Sequence, residues 1–307
     1  MTADPAAPPA TVEVLIPSYN ARDLLRDCLR SIDEHRPDPA VARVEVAVLD
    51  NASPDALGDM VAAEFPWVRL VRSDENLGHT RGNNQLAYSS TADYILLLNS
   101  DTRWLEDVVA PLLGTLRAHP EAAGVAAGLV WPDGSPQPST GALPSLRFEL
   151  ARVVNGTRWA RLIPGLGDAA RIVERTRKVA VEVPPVQRVP FVWSTCFLIP
   201  RALVAAEGLY DERFEAYDSD LDWCARMAKA GRTVLFDPSV KVIHVGGASR
   251  TPTERRRREL ESRRQYHEIH HGRLGALSYV VLLRLERWLI SWRSLRSVGH
   301  GPDPPLT

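Results

Sequence analysis

Four short apolar runs, each followed by a cluster of polar residues, constrain this chain more than any other feature. They are "VEVLI" (12–16), "VEVAVL" (44–49), "VRLV" (68–71) and "YILLL" (94–98). Each has the length of a strand and is rich in β-branched or aliphatic side chains, and the intervals between them carry helical spacing. Apolarity that is nearly continuous along a strand predicts cover on both faces, the signature of a parallel α/β sheet flanked by helices. Ligands in such sheets sit beyond the carboxyl ends of the strands. The residues that follow these strands are "PSYN", "DNAS", "NLGHTRGNN" and "NSD". Polar groups are thus delivered to one edge.

The second half is less regular. Punctuation such as "IPGLGD" and "VPPVQ" between about 145 and 189 predicts an irregular or locally helical insertion. "FVWSTCFLI" (191–199) reads as a buried strand ended by Pro200. A helix to about Ala230, stopped by Gly231, is expected next, then a strand or two through "TVLF" and "VKVIH", and a helical tail from about 252.

With 307 residues, 45% of them hydrophobic, the chain can bury a core as one large domain or as one domain with an appendage. A formal charge of −1 advertises no polyanionic partner, and no nucleic acid is expected. The charge is unevenly spread: residues 250–300 carry 12 basic side chains against 5 acidic ones. Cys28, Cys196 and Cys224 form no C-x-x-C pair, which argues against a disulfide framework or zinc ribbon and for a reducing cytoplasm. Residues 1–10 read as a flexible tail without the features of a signal peptide. No run reaches the roughly 18 apolar residues of a membrane-spanning helix.

Taken in order, "VLIPSYNARDLLRDCLRSI", "VAVLDNASPD", "NLGHTRGNNQ", "LLLNSD", "FVWSTCFLIPR", "GLYDERFEAYDSDLDWCARMAKAG" and "VIHVGGAS" resemble the family 2 glycosyltransferases, and among them the bacterial rhamnosyltransferase-like branch. The resemblance covers roughly residues 11–250. It implies a GT-A fold: a Rossmann-like, mostly parallel central sheet flanked by helices, here with a C-terminal helical extension at 251–307. It divides the catalytic domain into a nucleotide-binding half (11–101) and an acceptor-binding half (102–250). It also implies a UDP- or dTDP-sugar donor with rhamnose as first choice, a glycan or lipid-linked acceptor, and Mn2+ or Mg2+ as cofactor.

Residue by residue, the resemblance places Pro17, Tyr19 and Asn20 around the base and ribose of the donor, although Pro and Asn also punctuate turns. Asp50 would accept a hydrogen bond from the imide of the base, since a carboxylate supplies acceptors only; it could instead cap the helix beginning near Pro54, for which Ser53 is better placed. Asn76, Gly78 and Asn84 fall beside the nucleotide, glycine allowing close backbone approach. His79 and Arg81 would either reach the diphosphate or lie on the surface. "NSD" occupies the position of the family's Asp-x-Asp metal motif: Asp101 becomes the metal carboxylate, with Asn99 and Ser100 beside the nucleotide. Asn99 replaces the first aspartate of that motif and removes one charge. His244, at the end of a strand, matches the histidine that the family sets near metal and leaving group.

"FEAYDSDLDWCARM" (214–227) sets three aspartates before a helical pattern, with Leu221, Cys224, Ala225 and Ala228 on one face. Ser219 and Asp222 fit a capping pattern, at N-cap and N3. Asp220 is then free to face the cleft, kept ionised by the helix dipole. The family's Glu-Asp-x-Asp motif puts its catalytic base at Asp220, with Ser219 in place of the glutamate and Asp222 as the rival carboxylate. One base opposite the leaving group implies inversion. Trp193 and Trp223 would offer faces to a sugar or pack in the core, and Asp222 would join them at the acceptor.

In the tail, "TERRRRELESRRQYHEIHH" alternates sign as a solvated helix does. The following stretch sets Leu277, Val280, Val281, Leu283 and Leu285 beside Trp288, Leu289, Ile290 and Trp292, with Arg284, Arg287, Arg293 and Arg296 among them. That pattern suits a helix at an anionic membrane interface on the cytoplasmic side, core packing, or a homodimer contact. Two further classes of function compete with transfer. A sugar-nucleotide pyrophosphorylase would need a Gly-rich basic loop where "PSYNARD" stands, and a catalytically silent binding protein would tolerate Asn99 and Ser219.

Overall fold

The computed structural model describes residues 9–154, 185–215, 217–246 and 252–298. The expected tail (1–8), most of the expected insertion (155–184) and the end of "VIHVGGAS" lie outside the described residues. The chain forms two compact units, Met1–Leu143 with Lys178–Ser262 and Pro144–Arg177 with Arg263–Thr307.

The first unit is built on a ten-stranded sheet. Its strands are β1 (Ala10–Ser18), β2 (Ala42–Asp50), β3 (Arg69–Arg72), β4 (Tyr94–Leu98), β5 (Thr102–Trp104), β6 (Ala122–Val130), β7 (Pro136–Gln137), β9 (Gln187–Val189), β11 (Cys196–Pro200) and β12 (Thr233–His244). The order is β3-β2-β1-β4-β11-β6-β12-β5, with β7 on β6 and β9 on β12. β3, β2, β1 and β4 pair in parallel, as do β6 and β12, whereas β11 is antiparallel to both its neighbours and β5 is antiparallel to β12. The four apolar runs are thus β1 to β4, and the polar clusters after β1, β2 and β4 share one edge.

Helices α1 (Arg22–Glu34), α2 (Leu57–Glu64), α3 (Gly78–Ser89) and α4 (Val109–Ala118) connect these strands. α1 buries Leu25, Cys28, Leu29 and Ile32, and α4 buries Val109, Leu112, Leu113 and Leu116. Both sets recur at i, i+3, i+4 and i+7, the stripe by which a helix covers a sheet, and both join one apolar core with β1, β2, β4, β6, β11 and β12.

One segment differs from expectation. "FVWSTCFLI" is broken: β10 (Phe191–Val192) pairs with β8 (Thr140–Gly141) in a small separate sheet, and only β11 enters the main one. Residues 193–195 therefore cross between two sheets: the Trp193 N–H still donates to the Ser139 carbonyl (3.3 Å), whereas the Ser194 N–H turns to a side chain. "TVLF" and "VKVIH" are one strand, β12, with a register shift between Asp237 and Lys241.

After β11 come α6 (Arg201–Glu207) and α7 (Ser219–Lys229), and Gly231 ends the latter in the left-handed region (φ 75°). All three cysteines are buried, Cys28 on α1, Cys196 on β11 and Cys224 on α7. Burial pushes the thiols of Cys28 and Cys224 up to about 12 and that of Cys196 up as well.

In the second unit, α5 (Leu146–Val154) and the part of α8 (Pro252–Val298) from Arg263 onward enclose a small core of Ala151, Val153, Tyr266, Ala276 and Tyr279. Glu149 is buried there against Arg263 at 3.2 Å, and His267 stacks on Tyr279 at 4.8 Å between ring centres. Gly272 (φ 72°) interrupts α8. Among the described residues no helix is long and apolar enough to cross a membrane.

Candidate active site

The ends of β1 and β2 and the start of α3 converge. The Asn51 amide N–H donates to the Ser18 carbonyl (2.9 Å), the Asn20 N–H to the Ser53 hydroxyl (3.1 Å), and the Asn51 side chain to the Gly78 carbonyl (3.3 Å). Asn20 is left-handed (φ 51°), which Asn tolerates better than most residues, and Tyr19 beside it is exposed. The Asn76 carboxamide accepts the Gly78 N–H (2.9 Å), opening α3. Gly82 packs α3 against the strand ends: a Cβ there would lie 3.0 Å from the Pro17 side chain and 3.1 Å from Leu49. Within this cluster the Ser18 hydroxyl, the Asn51 side-chain oxygen and the Thr80 hydroxyl are buried with no hydrogen-bond partner among the described residues. Buried polar atoms are nearly always satisfied, so three orphans at one sheet edge mark unmet capacity of the kind a polar ligand supplies.

Asp50 is buried at the end of β2, where its Oδ1 accepts the Ser53 N–H (2.9 Å). Its Oδ2 rests over Gly58: a Cβ there would meet Oδ2 at 2.4 Å and the Arg72 guanidinium at 2.8 Å. Gly58→Ala should therefore displace the Asp50 carboxylate. Affinity for a polar ligand that uses this carboxylate, read by calorimetry, is expected to fall about tenfold or more, the weight of one hydrogen bond to a charged group, while the circular dichroism spectrum stays that of the parent.

At the far side of β4, the Asp101 Oδ2 lies 3.4 Å from His244 Nε2 and accepts the Gly246 N–H at 3.2 Å. Burial opposes the charge on Asp101, but the His244 ring and the backbone N–H groups outweigh it and hold the carboxyl below its usual range. His244 Nδ1 donates to the Gln137 side-chain oxygen (2.8 Å), which fixes the ring with its Nε2 edge toward Asp101. One carboxylate oxygen and one imidazole nitrogen at this spacing fit a divalent cation. Among the described residues no cluster of three or more His, Cys, Asp or Glu side chains could hold a metal. The protein would supply two donors there, and ligand oxygens and water the remainder.

Asp220 sits in the first turn of α7. Its Oδ1 accepts the Leu221 N–H (2.9 Å) and its Oδ2 the Ser194 N–H (3.3 Å), an amide that the break between β10 and β11 sets free. The helix dipole does not prevail here: burial, with a smaller push from Asp218, raises the Asp220 carboxyl to about 7. The next residue, Thr195, accepts the Asn99 N–H with its carbonyl (3.0 Å). The Tyr210 ring is also buried at this point. Burial, and then the neighbouring Asp220 charge, raise its phenol well above the ordinary value, so it stays protonated.

Several expected contacts are corrected. α7 starts one residue early: Asp218 is its N-cap in the left-handed region (φ 60°), Ser219 is its first residue, and neither makes a side-chain cap. Asp222 is buried and pairs with Arg226 at 2.9 Å, so its carboxylate is engaged within the protein. Trp223 is 1% exposed, with its indole N–H on the Gly208 carbonyl, so it offers no face to a sugar. Trp193, 40% exposed and packed edge-on against Phe191, does offer one.

Because "GHTRGNN" opens α3, its polar side chains diverge. Asn84 turns inward and clasps the Tyr210 backbone, its carboxamide accepting the N–H (3.0 Å) and donating to the carbonyl (2.9 Å). Arg81 pairs with Glu75 at the surface (3.3 Å). Burial lowers His79 to about 4, so it stays neutral near pH 7. Asn99 and Ser100 are partly buried on the turn into Asp101, and the Asn99 carbonyl accepts the Thr102 hydroxyl (2.7 Å). Sequence reasoning passed over Ser18 and Asn51, although both lie in the quoted clusters. Nothing in local pattern pointed to Gly58, Arg72 or Ser194, whose partners are distant in the chain.

An α/β sheet with a carboxylate at the end of β2, a carboxylate–imidazole pair after β4 and a further carboxylate at the start of α7 is the layout of a GT-A protein. The chain of GalNAc-T7 with UDP, GalNAc and Mn2+ superposes with a TM-score of 0.57 at 17% identity, over 84% of this chain and 48% of that one. The profile of Glycosyl transferase family 2 matches residues 13–163. An N-acetylglucosaminyl-diphospho-decaprenol L-rhamnosyltransferase of Mycobacterium tuberculosis is 28% identical over 212 residues, 66% of either chain. An N-acetylglucosaminyltransferase of Bradyrhizobium is 30% identical over 107 residues, 33% of this chain and 68% of its own length. The chain belongs to glycosyltransferase family 2, and the expected fold and family are borne out.

Proposed function

We propose that this chain is an inverting, metal-dependent glycosyltransferase. It moves a sugar from a UDP- or dTDP-sugar to a hydroxyl of a glycan or lipid-linked acceptor in cell-wall or surface polysaccharide synthesis, on the cytoplasmic side. Rhamnose comes first among donors because the mycobacterial relative bears an L-rhamnosyltransferase name. The observation that carries this reading is the anchoring of two carboxylate-bearing segments to consecutive residues. Ser194 donates its amide to Asp220, and Thr195 accepts the amide of Asn99, two residues before Asp101.

Asp50, Asn51, Ser18, Asn20 and the α3 start receive the nucleoside. Asp101 and His244 would hold Mn2+ or Mg2+, which when bound offsets the charge that develops on the departing diphosphate. Asp220 takes the acceptor's hydroxyl proton on a carboxylate oxygen as that hydroxyl oxygen bonds the anomeric carbon. The bond from that carbon to the diphosphate oxygen breaks, and the configuration inverts. Trp193 lends an aromatic face to the sugars.

A base with a pKa of about 7 is matched to proton transfer at neutral pH. Below about pH 7, kcat/KM should fall about tenfold per pH unit as Asp220 takes up its proton, and it should level off above. An acid limb centred on the ordinary carboxylate range would remove Asp220 from the role.

A thermal-shift panel of UDP-, dTDP- and GDP-sugars, with and without Mn2+, tests the donor assignment. Stabilisation by the UDP or dTDP series that requires the metal is expected, since a ligand bound only by the native state raises Tm by mass action. Stabilisation by GDP-sugars alone would overturn the nucleotide assignment.

A further inference from the structure

The two halves of α8 differ in how their arginines are neutralised. Before Gly272, Arg255 and Arg256 pair with Glu259, Arg257 with Glu261, Arg258 with Glu215, Arg263 with Glu149 and Arg264 with Glu268. After Gly272, Arg273, Arg284 and Arg287 make no ion pair with any described residue, and all three are exposed. Beside them run exposed apolar side chains: Leu274 (79%), Leu277 (61%), Val281 (56%), Leu285 (36%) and Trp288 (60%). At about 100° per residue these five fall within an arc of about 80°, the three arginines lie along one flank of it, and the buried Ala276 and Tyr279 occupy the opposite face. A hollow of about 250 Å³, lined by Arg264, Glu268, Arg273, Ala276, Leu277 and Val280, lies where the arginine flank meets the stripe.

We propose that this half of α8 docks on an anionic lipid surface, with the apolar stripe in the acyl boundary and Arg273, Arg284 and Arg287 on the lipid phosphates. An exposed apolar arc bordered by unpaired arginines and an aromatic is complementary to that interface on both counts. A second copy fits worse. In an antiparallel helix pair the arginine flank would face its own counterpart and repel it. The inference stands apart from the catalytic reading, because binding is measured without sugar nucleotide or turnover.

The test is co-sedimentation of the full chain with phosphatidylcholine vesicles with and without phosphatidylglycerol. Binding to the anionic vesicles alone, released by salt, is expected. Each arginine near such a surface contributes about fivefold, so Arg284→Glu with Arg287→Glu should weaken binding by at least about tenfold. Leu277→Ser with Val281→Ser should weaken it too, since both side chains are exposed and their loss leaves the fold intact. Equal binding to neutral and anionic vesicles, no binding to either, or insensitivity to both double variants would overturn the proposal. A dimer in sedimentation velocity that Leu277→Ser dissolves would overturn it in favour of a second copy.

Discussion

Asp220→Asn is expected to lower transfer by about 10²- to 10⁴-fold, the usual weight of a positioned general base, with donor affinity nearly unchanged. Initial rates and calorimetric titration with the donor separate the two effects. Parent-like rates would show that another carboxylate removes the proton. The same variant has a stability signature whose sign follows from linkage. The folded-state carboxyl titrates at about 7 and the unfolded one near the ordinary value of about 3.9, so between those values the folded chain holds a proton that the unfolded chain has released. Parent stability therefore declines as pH rises from about 4 to about 7 and is flat above. Asparagine mimics the neutral acid and removes that slope. Near pH 8 the variant should melt higher than the parent, and near pH 4 the two should coincide. A catalytically dead protein that is more stable at alkaline pH is a result that simple misfolding cannot produce.

The second large effect belongs to the next aspartate along. Asp222→Ala should destabilise the protein by about 3 kcal/mol, the lower end for breaking a buried pair, because Arg226 is partly exposed. Asp222 Oδ2 accepts from Arg226 Nε (2.9 Å), and the same guanidinium donates to the carbonyls of Glu207 and Leu209. Losing the carboxylate frees the arginine that ties the 207–209 turn to α7. In chemical denaturation the midpoint should drop, while kcat of the fraction still folded stays near that of the parent. A variant with parent-like stability and no activity would move Asp222 into the chemistry. Two carboxylates two residues apart thus answer to different assays, one to turnover and the other to denaturant.

The strands that build the site were legible because burial on both faces leaves a run of β-branched and aliphatic residues that no turn produces. The edge that bears the site followed from the rule for the carboxyl ends of parallel strands. Side-chain direction within a segment was not legible. By motif alone, "NLGHTRGNN" offers Asn76, Arg81 and Asn84 alike to a ligand. As a helix from Gly78 it sends Asn84 inward to Tyr210 and Arg81 outward to Glu75. "FVWSTCFLI" concealed its break for a related reason: apolarity reports burial but not which sheet a residue joins, and the free Ser194 amide exists only because the chain changes sheets there. Trp223 and Asp222 lie on a helix whose expected stripe holds at Leu221, Cys224 and Ala225 but fails at Ala228, which is exposed, because the buried arc turns instead to take in Asp222, Trp223 and Met227. The raised Asp220 pKa depends on what surrounds the carboxyl in space, which helix position alone does not report.

The three enclosed thiols give this protein a built-in clock. Cys28 lies beneath the Asn99–Thr102 turn, Cys196 pairs across from Leu98, and Cys224 is on α7. A thiolate is the species that reacts, and groups so shielded and so weakly acidic wait for the backbone around them to open. Alkylation rates at each cysteine, followed by mass spectrometry, would therefore time the breathing of the Asn99–Thr102 turn and of the α7 segment separately, with no probe added to the molecule.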